Sequence, residues 1–447
     1  MRSFMYFIIT AAMLAAYLSS PDVHLLPGAV RFLPDFVSAL ALVYIIFAGT
    51  LQKFRYINVK YWLIFAALAL AILCGPVVNQ EAVGPIMNGM RYYLRAIPLF
   101  FLPAVVNFSE RDLRNYLKVI LGFSLLQAPV AVYQRFAAES IGIKSGDWVI
   151  GTLMSSGILS IFLIAVICVM AGLMLRGQMS RLWFGVCFVL LMIPMSINET
   201  KMTIFVLPVT LLLTFLVAAP RGRKLLVTIQ ALCFLVIAGV IFVPIYDYYN
   251  KDVPGQFSVE DFLSNGGEFA KYMDRKAKVG TEEEAGRMDS LRAPFIALSR
   301  DPIKLVFGLG LGNASKSSLG EQFTGRYKPL YWNFVLELSL TAFLFELGLL
   351  GTSLVFVMLW MFLRDAVFVA KHDKGLLGAI ALGYIGAWAT ITIGLVYLAI
   401  HAFEAISFTF FFFSGVVATR REQLAMSRAK VNRPLPVGLV PMKPKAR

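Results

Sequence analysis

The chain has 447 residues, of which 59% are hydrophobic and only 15% are charged, and its mean hydropathy is +0.74. These values exclude a soluble globular domain, because so apolar a chain lacks the polar surface that water requires. The formal net charge of +15 is better explained by membrane topology than by nucleic-acid binding, since basic residues accumulate in cytoplasmic connectors. The sequence therefore predicts an all-α polytopic membrane protein with no nucleic-acid partner.

Apolar runs recur along the whole chain and predict about twelve transmembrane helices of roughly 20 residues each. The first run follows Arg2 and resembles a signal peptide. No small-residue cleavage site precedes Pro21, however, and another span follows, so a retained helix is predicted. The spans are predicted at 4–20, 33–51, 61–79, 88–106, 115–137, 149–174, 182–197, 202–219, 225–246, 332–362, 376–394 and 401–419.

Basic residues occupy every second connector and so predict the orientation of the chain. The short connectors of the opposite side contain only Arg31, Lys144 and Lys201. By the positive-inside rule both termini are cytoplasmic, and the basic tail is expected at the anionic inner leaflet. The basic connectors contain Lys53, Arg55 and Lys60; Arg111, Arg114 and Lys118; Arg176 and Arg181; Arg221, Arg223 and Lys224; and Arg364, Lys371 and Lys374.

One connector, 247–331, is much longer than the others and carries balanced charges, which predicts a large periplasmic loop. The predicted organisation is an N-terminal transmembrane bundle (1–246), this loop, a C-terminal transmembrane part (332–419) and a basic tail (420–447). The glycines at 308, 310 and 312 do not follow the strand–loop–helix order of a nucleotide site. Within the loop an amphipathic helix is predicted to end near Asp301 and Pro302, with the apolar positions Leu291, Phe295, Leu298 and Ile303.

Several charged residues share the outer membrane boundary in this topology. Arg91 and Arg95 are one helical turn apart on one face. Each arginine alone could extend its charged group to water, but the whole set predicts an outward-facing anion site, because guanidinium forks bind phosphate oxygens in pairs. The other members of the set are Arg135, Glu199, Lys201 and Glu337.

Cysteine and histidine do not predict a metal site. The four cysteines fall within predicted spans, and the three histidines lie in different connectors without zinc-ligand spacing.

Four short motifs of the chain resemble the O-antigen ligase and polysaccharide polymerase superfamily. They are an arginine in the large loop, an Asp-Pro pair, a Gly-x-Gly and a Glu-x-Gly on the following helix. In this sequence the motifs are Arg287, Asp301-Pro302, Gly308 with Gly310, and Glu346-Leu347-Gly348.

This resemblance implies a bacterial inner-membrane glycosyltransferase with a GT-C-like fold. Such an enzyme takes a glycan from undecaprenyl diphosphate at the periplasmic face and inverts the anomeric centre. No cofactor or metal is expected, because the diphosphate already activates the donor. The expected partners are this donor, a glycan or lipid A core acceptor, membrane lipids, and a co-polymerase and a flippase.

The resemblance also assigns roles to individual residues. Glu337 is expected to be the base that activates the acceptor hydroxyl, and Arg287 is expected to stabilise the leaving group. Ligases have a His-Asn pair nine residues before the Glu of Glu-x-Gly, and here that position is Glu337, which favours a polymerase over a ligase. Glu346 is expected to be a packing or hydrogen-bonding residue. The predicted diphosphate-binding residues are Arg91, Arg95, Arg135, Lys201 and Arg292.

A transporter or lipid-linked oligosaccharide flippase is the alternative from another functional class. Transporters place charged sites near the bilayer midplane between internal repeats. Here the charges are predicted at the outer boundary, and no repeat is evident. The position of the polar cavity therefore distinguishes the two classes.

Overall fold

The computed structural model describes residues 2–20, 23, 25–51, 54, 56–198, 200–220, 222, 224–250, 277–279, 282–284, 286–317, 320–328 and 338–431. Its helices are α1 (Arg2–Leu18), α2 (Leu33–Leu51), α3 (Val59–Val78), α4 (Val83–Leu94), α5 (Ile97–Val106), α6 (Glu110–Ser140), α7 (Ser156–Leu175), α8 (Arg181–Ile197), α9 (Met202–Ala218), α10 (Lys224–Asn250), α11 (Arg287–Leu298), α12 (Pro302–Phe307), α13 (Ser339–His372), α14 (Leu376–Tyr397) and α15 (Glu404–Val431). A short antiparallel hairpin pairs β1 (Ala277–Val279) with β2 (Glu282–Glu284).

Seven of the described helices are long and apolar enough to cross a membrane, as expected of a polytopic membrane protein. They are α2 with the turn before it, α3, α6, α7, α10, α13 and α14. Three shorter apolar helices, α5, α8 and α9, accompany them. The full set of about twelve spans and the GT-C-like arrangement remain predictions.

The predicted span 88–106 was wrong as a single helix. The structure has two helices here, α4 and α5, separated by a turn at Arg95 and Ala96. Pro98 lacks the N–H that would bond the Leu94 carbonyl, so the helical hydrogen bonding is weakened at this point. α5 then ends at Asn107, which has a left-handed conformation with φ of 52°.

Helices α7 and α14 form the centre of the bundle, and both are largely buried. Their backbones approach closely, because a Cβ atom on Gly172 would lie 2.3 Å from the Gly383 nitrogen. Small residues permit this kind of contact between membrane helices. The remaining long helices surround this pair.

Basic connectors meet at one end of the bundle, which we call the basic end. Lys60 donates to Asp365 at 2.6 Å, and Arg420 donates to Asp373 at 2.6 Å. These pairs join the start of α3, the end of α13 and α15. Arg420 lies just beyond the predicted boundary at residue 419, and α15 continues past it to Val431.

The loop residues 286–328 pack at the opposite end of the bundle, which we call the loop end. Thr341 of α13 donates to the Ser290 carbonyl, and Arg326 donates to the Asn79 carbonyl at 2.9 Å. The predicted loop helix is present as α11. It ends before Asp301, whose side chain caps α12 by accepting from the Ile303 and Lys304 amides.

Candidate functional site

The Gly-x-Gly and Glu-x-Gly motifs contact each other at the loop end. Leu309 N–H donates to the Phe345 carbonyl at 2.7 Å, and Gly310 N–H donates to the Glu346 carbonyl at 3.2 Å. Gly308 and Gly348 have φ values of +77° and +64°, and a Cβ atom on Gly308 would lie 2.4 Å from the Glu346 oxygen. This contact, which we call the glycine junction, therefore needs glycine for both conformation and space.

The glycine junction interrupts α13 at Gly348 and fixes the position of Glu346. Glu346 Oε1 accepts from the Ala314 amide at 3.1 Å and from the Ser315 hydroxyl at 2.6 Å. The side chain is buried, with the residue only 1% exposed, and Tyr93 of α4 faces the carboxyl. Glu346 thus links α13, α4 and the loop, as expected for a hydrogen-bonding residue.

A second carboxyl, Glu81, packs against the same junction from the connector between α3 and α4. A Cβ atom on Gly310 would lie 2.2 Å from Glu81 Oε2. Burial and the neighbouring Glu346 carboxyl raise the pKa of Glu81 to about 8, and Arg326 opposes this shift. Because a carboxyl with such a pKa holds its proton near neutral pH, Glu81 can donate as well as accept.

A small polar pocket of about 50 Å³ adjoins the junction. Its polar lining comes from Tyr92, Ser315, Lys316, Lys328 and His401. His401 Nδ1 lies 2.9 Å from Ser339 Oγ, and its ring packs against Tyr93 and Phe343. The pocket therefore combines two cationic side chains, hydroxyls and an imidazole.

Arg91 and Arg95 lie together beside this pocket, at the end of α4, as their spacing predicts. Arg91 binds Asp35 at 2.9 Å, and Arg95 binds Asp35 at 3.4 Å and Glu404 at 2.8 Å. Arg91 also donates to the Arg31 carbonyl at 3.1 Å. The two charges are thus compensated by carboxylates of α2 and α15.

Arg287, the predicted catalytic arginine, packs on Tyr397 and is not among the residues that line the pocket. Its guanidinium carbon is 4.3 Å from the centre of the Tyr397 ring, at the end of α14. Ala399 and His401, which follow Tyr397 along the chain, line the pocket. Arg292, in contrast, is exposed on α11.

Arg135 and Lys201, which were also predicted to bind the diphosphate, lie in other parts of the structure. Arg135 binds Glu139 at 2.8 Å and donates to the Lys144 and Tyr249 carbonyls at 2.9 and 2.7 Å. It borders an apolar cavity of about 270 Å³ between α6, α8 and α10. Lys201 is buried at the start of α9. Among the described contacts, none links either residue to the pocket at the loop end.

Glu337, the predicted base, and Glu199 lie outside the described residues. The sequence interpretation did not include Glu81, Tyr93, Lys328 or His401 in the site. Lys328 is only 6% exposed despite its charge. The sequence signal was weak, because each of these residues is isolated in its own segment and only the fold brings them together.

Neither a comparison with protein-family models nor a search of curated proteins finds a match to this chain. The function is therefore inferred from the chemistry of the site at the loop end, together with the motif resemblance.

Proposed function

We propose that this protein is a polysaccharide polymerase that joins undecaprenyl-diphosphate-linked repeat units at the periplasmic face of the bacterial inner membrane. The observation that carries this proposal is the polar pocket beside the glycine junction, where Lys316, Lys328 and His401 meet. Its two lysines suit a diphosphate, and its imidazole suits a hydroxyl acceptor. The product would be O-antigen, capsule or exopolysaccharide.

The position of the pocket supports an enzyme over a carrier. The polar pocket lies at one end of the bundle, beside the large loop. The largest cavity described between the helices has an almost entirely apolar lining. A transporter would instead need its polar site near the middle of the membrane.

The donor diphosphate would bind Lys316 and Lys328, and Arg287, which packs on Tyr397, would approach it from α11. These cations would stabilise the negative charge that develops on the departing phosphate oxygen. Arg91 and Arg95 take a different role in this proposal, because Asp35 and Glu404 already compensate their charges. They hold α4 in place, and α4 carries Tyr92 and Tyr93 into the site.

In the reaction, the acceptor hydroxyl oxygen forms a bond to the anomeric carbon while the bond from that carbon to the phosphate oxygen breaks. The hydroxyl proton passes to a base, and undecaprenyl diphosphate leaves. Glu337 is the base suggested by the motif resemblance. Among the described residues, Asp289 of α11 is the alternative base suggested by the sequence, and His401 is the candidate in the pocket, where Ser339 orients its ring through Nδ1.

The test is incubation of purified protein with a lipid-linked repeat unit, with and without lipid A core, followed by sizing of the product. A ladder without core is expected of the polymerase. A product formed only with core would indicate a ligase, and vesicle transport of the intact donor without any product would indicate a flippase.

Variants connect the activity to the pocket. Lys316→Ala should lower turnover about 100-fold, the usual effect of removing one group that stabilises developing charge. Lys371→Ala is the matched control, because Lys371 is an exposed lysine at the basic end. If His401 is the base, His401→Gln should lower turnover per folded molecule. If Glu337 is the base, Glu337→Gln should do so. Normal turnover in Lys316→Ala and Lys328→Ala together would contradict the proposed donor site.

A further inference from the structure

The largest described cavity begins at the basic end and extends along α14 and α15 as far as Ile391 and Ile406, and it shares no lining residue with the polar pocket. It has a volume of about 420 Å³ and is bordered by α6, α7, α8, α14 and α15. Its walls are apolar and include Leu121, Phe162, Val166, Met170, Ile380 and Phe413. Cavities of this size are typical of ligand sites, and these walls suit a hydrocarbon chain.

The charged residues that line this cavity lie at the basic end. Arg114 and Lys118 are exposed and one turn apart on α6. Arg114 donates to Gln178 at 2.8 Å, which fixes its guanidinium beside the connector between α7 and α8. Trp183 of α8 lines the same region and is exposed, as is typical of tryptophan at the membrane interface.

The charged residues that line the cavity, Arg114 and Lys118, are both basic. No acidic side chain occurs among the described residues that line the cavity. An occupant must therefore combine an apolar chain with an anionic group at one end. Basic sites between helices at the cytoplasmic side typically bind anionic lipid head groups.

We propose that this cavity binds an anionic diacyl phospholipid of the inner leaflet, with one acyl chain between α6, α7 and α14 and its phosphate at Arg114 and Lys118. The site is independent of the proposed glycosyl transfer, which uses the loop end. Bound lipid would join α6 to α7 and α8 and so stabilise the bundle.

The experiment measures binding of phosphatidylglycerol and phosphatidylcholine with identical acyl chains to the purified full chain by native mass spectrometry. Each basic residue near a membrane surface contributes about 1 kcal/mol to the attraction of anionic lipid, which is a factor of about five in affinity. Two such residues predict about 25-fold preference for phosphatidylglycerol. The thermal unfolding temperature should rise with phosphatidylglycerol in parallel.

The double variant Arg114→Ala/Lys118→Ala should lose this preference and keep binding to phosphatidylcholine. Arg111→Ala is the matched control, since Arg111 is an exposed arginine of the same helix outside the cavity lining. Ala165→Phe adds volume inside the cavity and should weaken both lipids. Equal binding of the two lipids to the parent protein would overturn the proposal, and so would an unchanged preference in the double variant.

Discussion

At the scale of single residues, two ionisable side chains near the loop end have neighbours of different kinds. Arg95 lies between two carboxylates, Asp35 and Glu404. Glu81 lies beside another carboxyl, Glu346, and neither of its oxygens has a hydrogen-bond partner among the described residues. The first arrangement stabilises the charged form of a side chain, whereas the second favours the protonated form.

Glu81 should make the protein less stable as the pH rises. Its pKa is about 8 in the folded protein, against an ordinary value of 4.5. Below pH 4.5 both states hold the proton. Between these values only the folded state keeps it, so stability falls with increasing pH and the loss is complete above about pH 8.

Glu81→Gln removes this titration and should flatten the decline of unfolding temperature between pH 5 and pH 8. Glu321→Gln, at an exposed position of the loop, serves as the control and should keep the decline of the parent. Thermal unfolding in detergent at several pH values provides the measurement. A decline of equal slope in Glu81→Gln and the parent would show that another group titrates.

Arg95 should contribute to stability through both of its carboxylate partners. Arg95→Met leaves Asp35 and Glu404 without this cation, and breaking such a buried pair costs about 3–5 kcal/mol of unfolding free energy. A double-mutant cycle with Glu404→Gln measures the coupling. The double variant should be more stable than the sum of the two single effects predicts, and strict additivity would mean that the 2.8 Å contact contributes little.

At the scale of helices and loops, two irregular positions determine where the site forms. Pro98 separates α4 from α5, and Gly348 interrupts α13. At each of these two positions hydropathy alone predicts an uninterrupted span. The break redirects the chain or frees backbone groups from helical hydrogen bonds. The glycine junction uses one of them, because the Phe345 and Glu346 carbonyls accept from the loop amides.

Gly308→Ala should damage the fold of the site beyond ordinary backbone strain. Gly308 has φ of +77° and ψ of −175°, a combination that essentially only glycine adopts, and holding another residue there costs about 1–3 kcal/mol. At Gly308 the added Cβ atom would also meet the Glu346 oxygen at 2.4 Å. Gly142→Ala is the control for a positive φ without a steric contact, since Gly142 has a φ of +79° and open space around its Cβ position.

We therefore expect Gly142→Ala to lose about 1–2 kcal/mol of unfolding free energy with normal polymerase turnover. Gly308→Ala should lose more and should also have low turnover per folded molecule. Chemical denaturation and the product-sizing assay give the two values. Equal effects of the two variants would argue that the close backbone contact is unimportant for the site.

At the scale of the whole molecule, hydropathy predicted the long helices because lipid requires continuous apolar runs with internal hydrogen bonds. Helix ends were predicted less well, since contacts between distant segments affect them and hydropathy does not report these contacts; α15, for example, continues past residue 419, where Arg420 pairs with Asp373. The four-residue spacing correctly predicted that Arg91 and Arg95 lie together. Glu81 could not be predicted as a neighbour of Glu346, nor His401 as a neighbour of Tyr93, because these contacts depend on how the helices pack.

The distribution of basic residues predicts the orientation of the bundle, and labelling can test this prediction. In a variant without the four native cysteines, a cysteine at Ser299 should react with an impermeant maleimide in intact spheroplasts. A cysteine at Ser427 should react only after lysis. Both positions are exposed, Ser299 at the loop end and Ser427 on α15 beyond the basic end, so access to reagent depends on the side of the membrane.

The positive-inside rule requires this pattern, because the basic end carries the cationic connectors. The proposed donor site requires it as well, since the lipid-linked glycan is used at the periplasmic face. Labelling of Ser427→Cys but not Ser299→Cys in intact spheroplasts would place the polar pocket in the cytoplasm. The chain could then no longer act on an exported donor, and the cavity with Arg114 and Lys118 would face the outer leaflet instead.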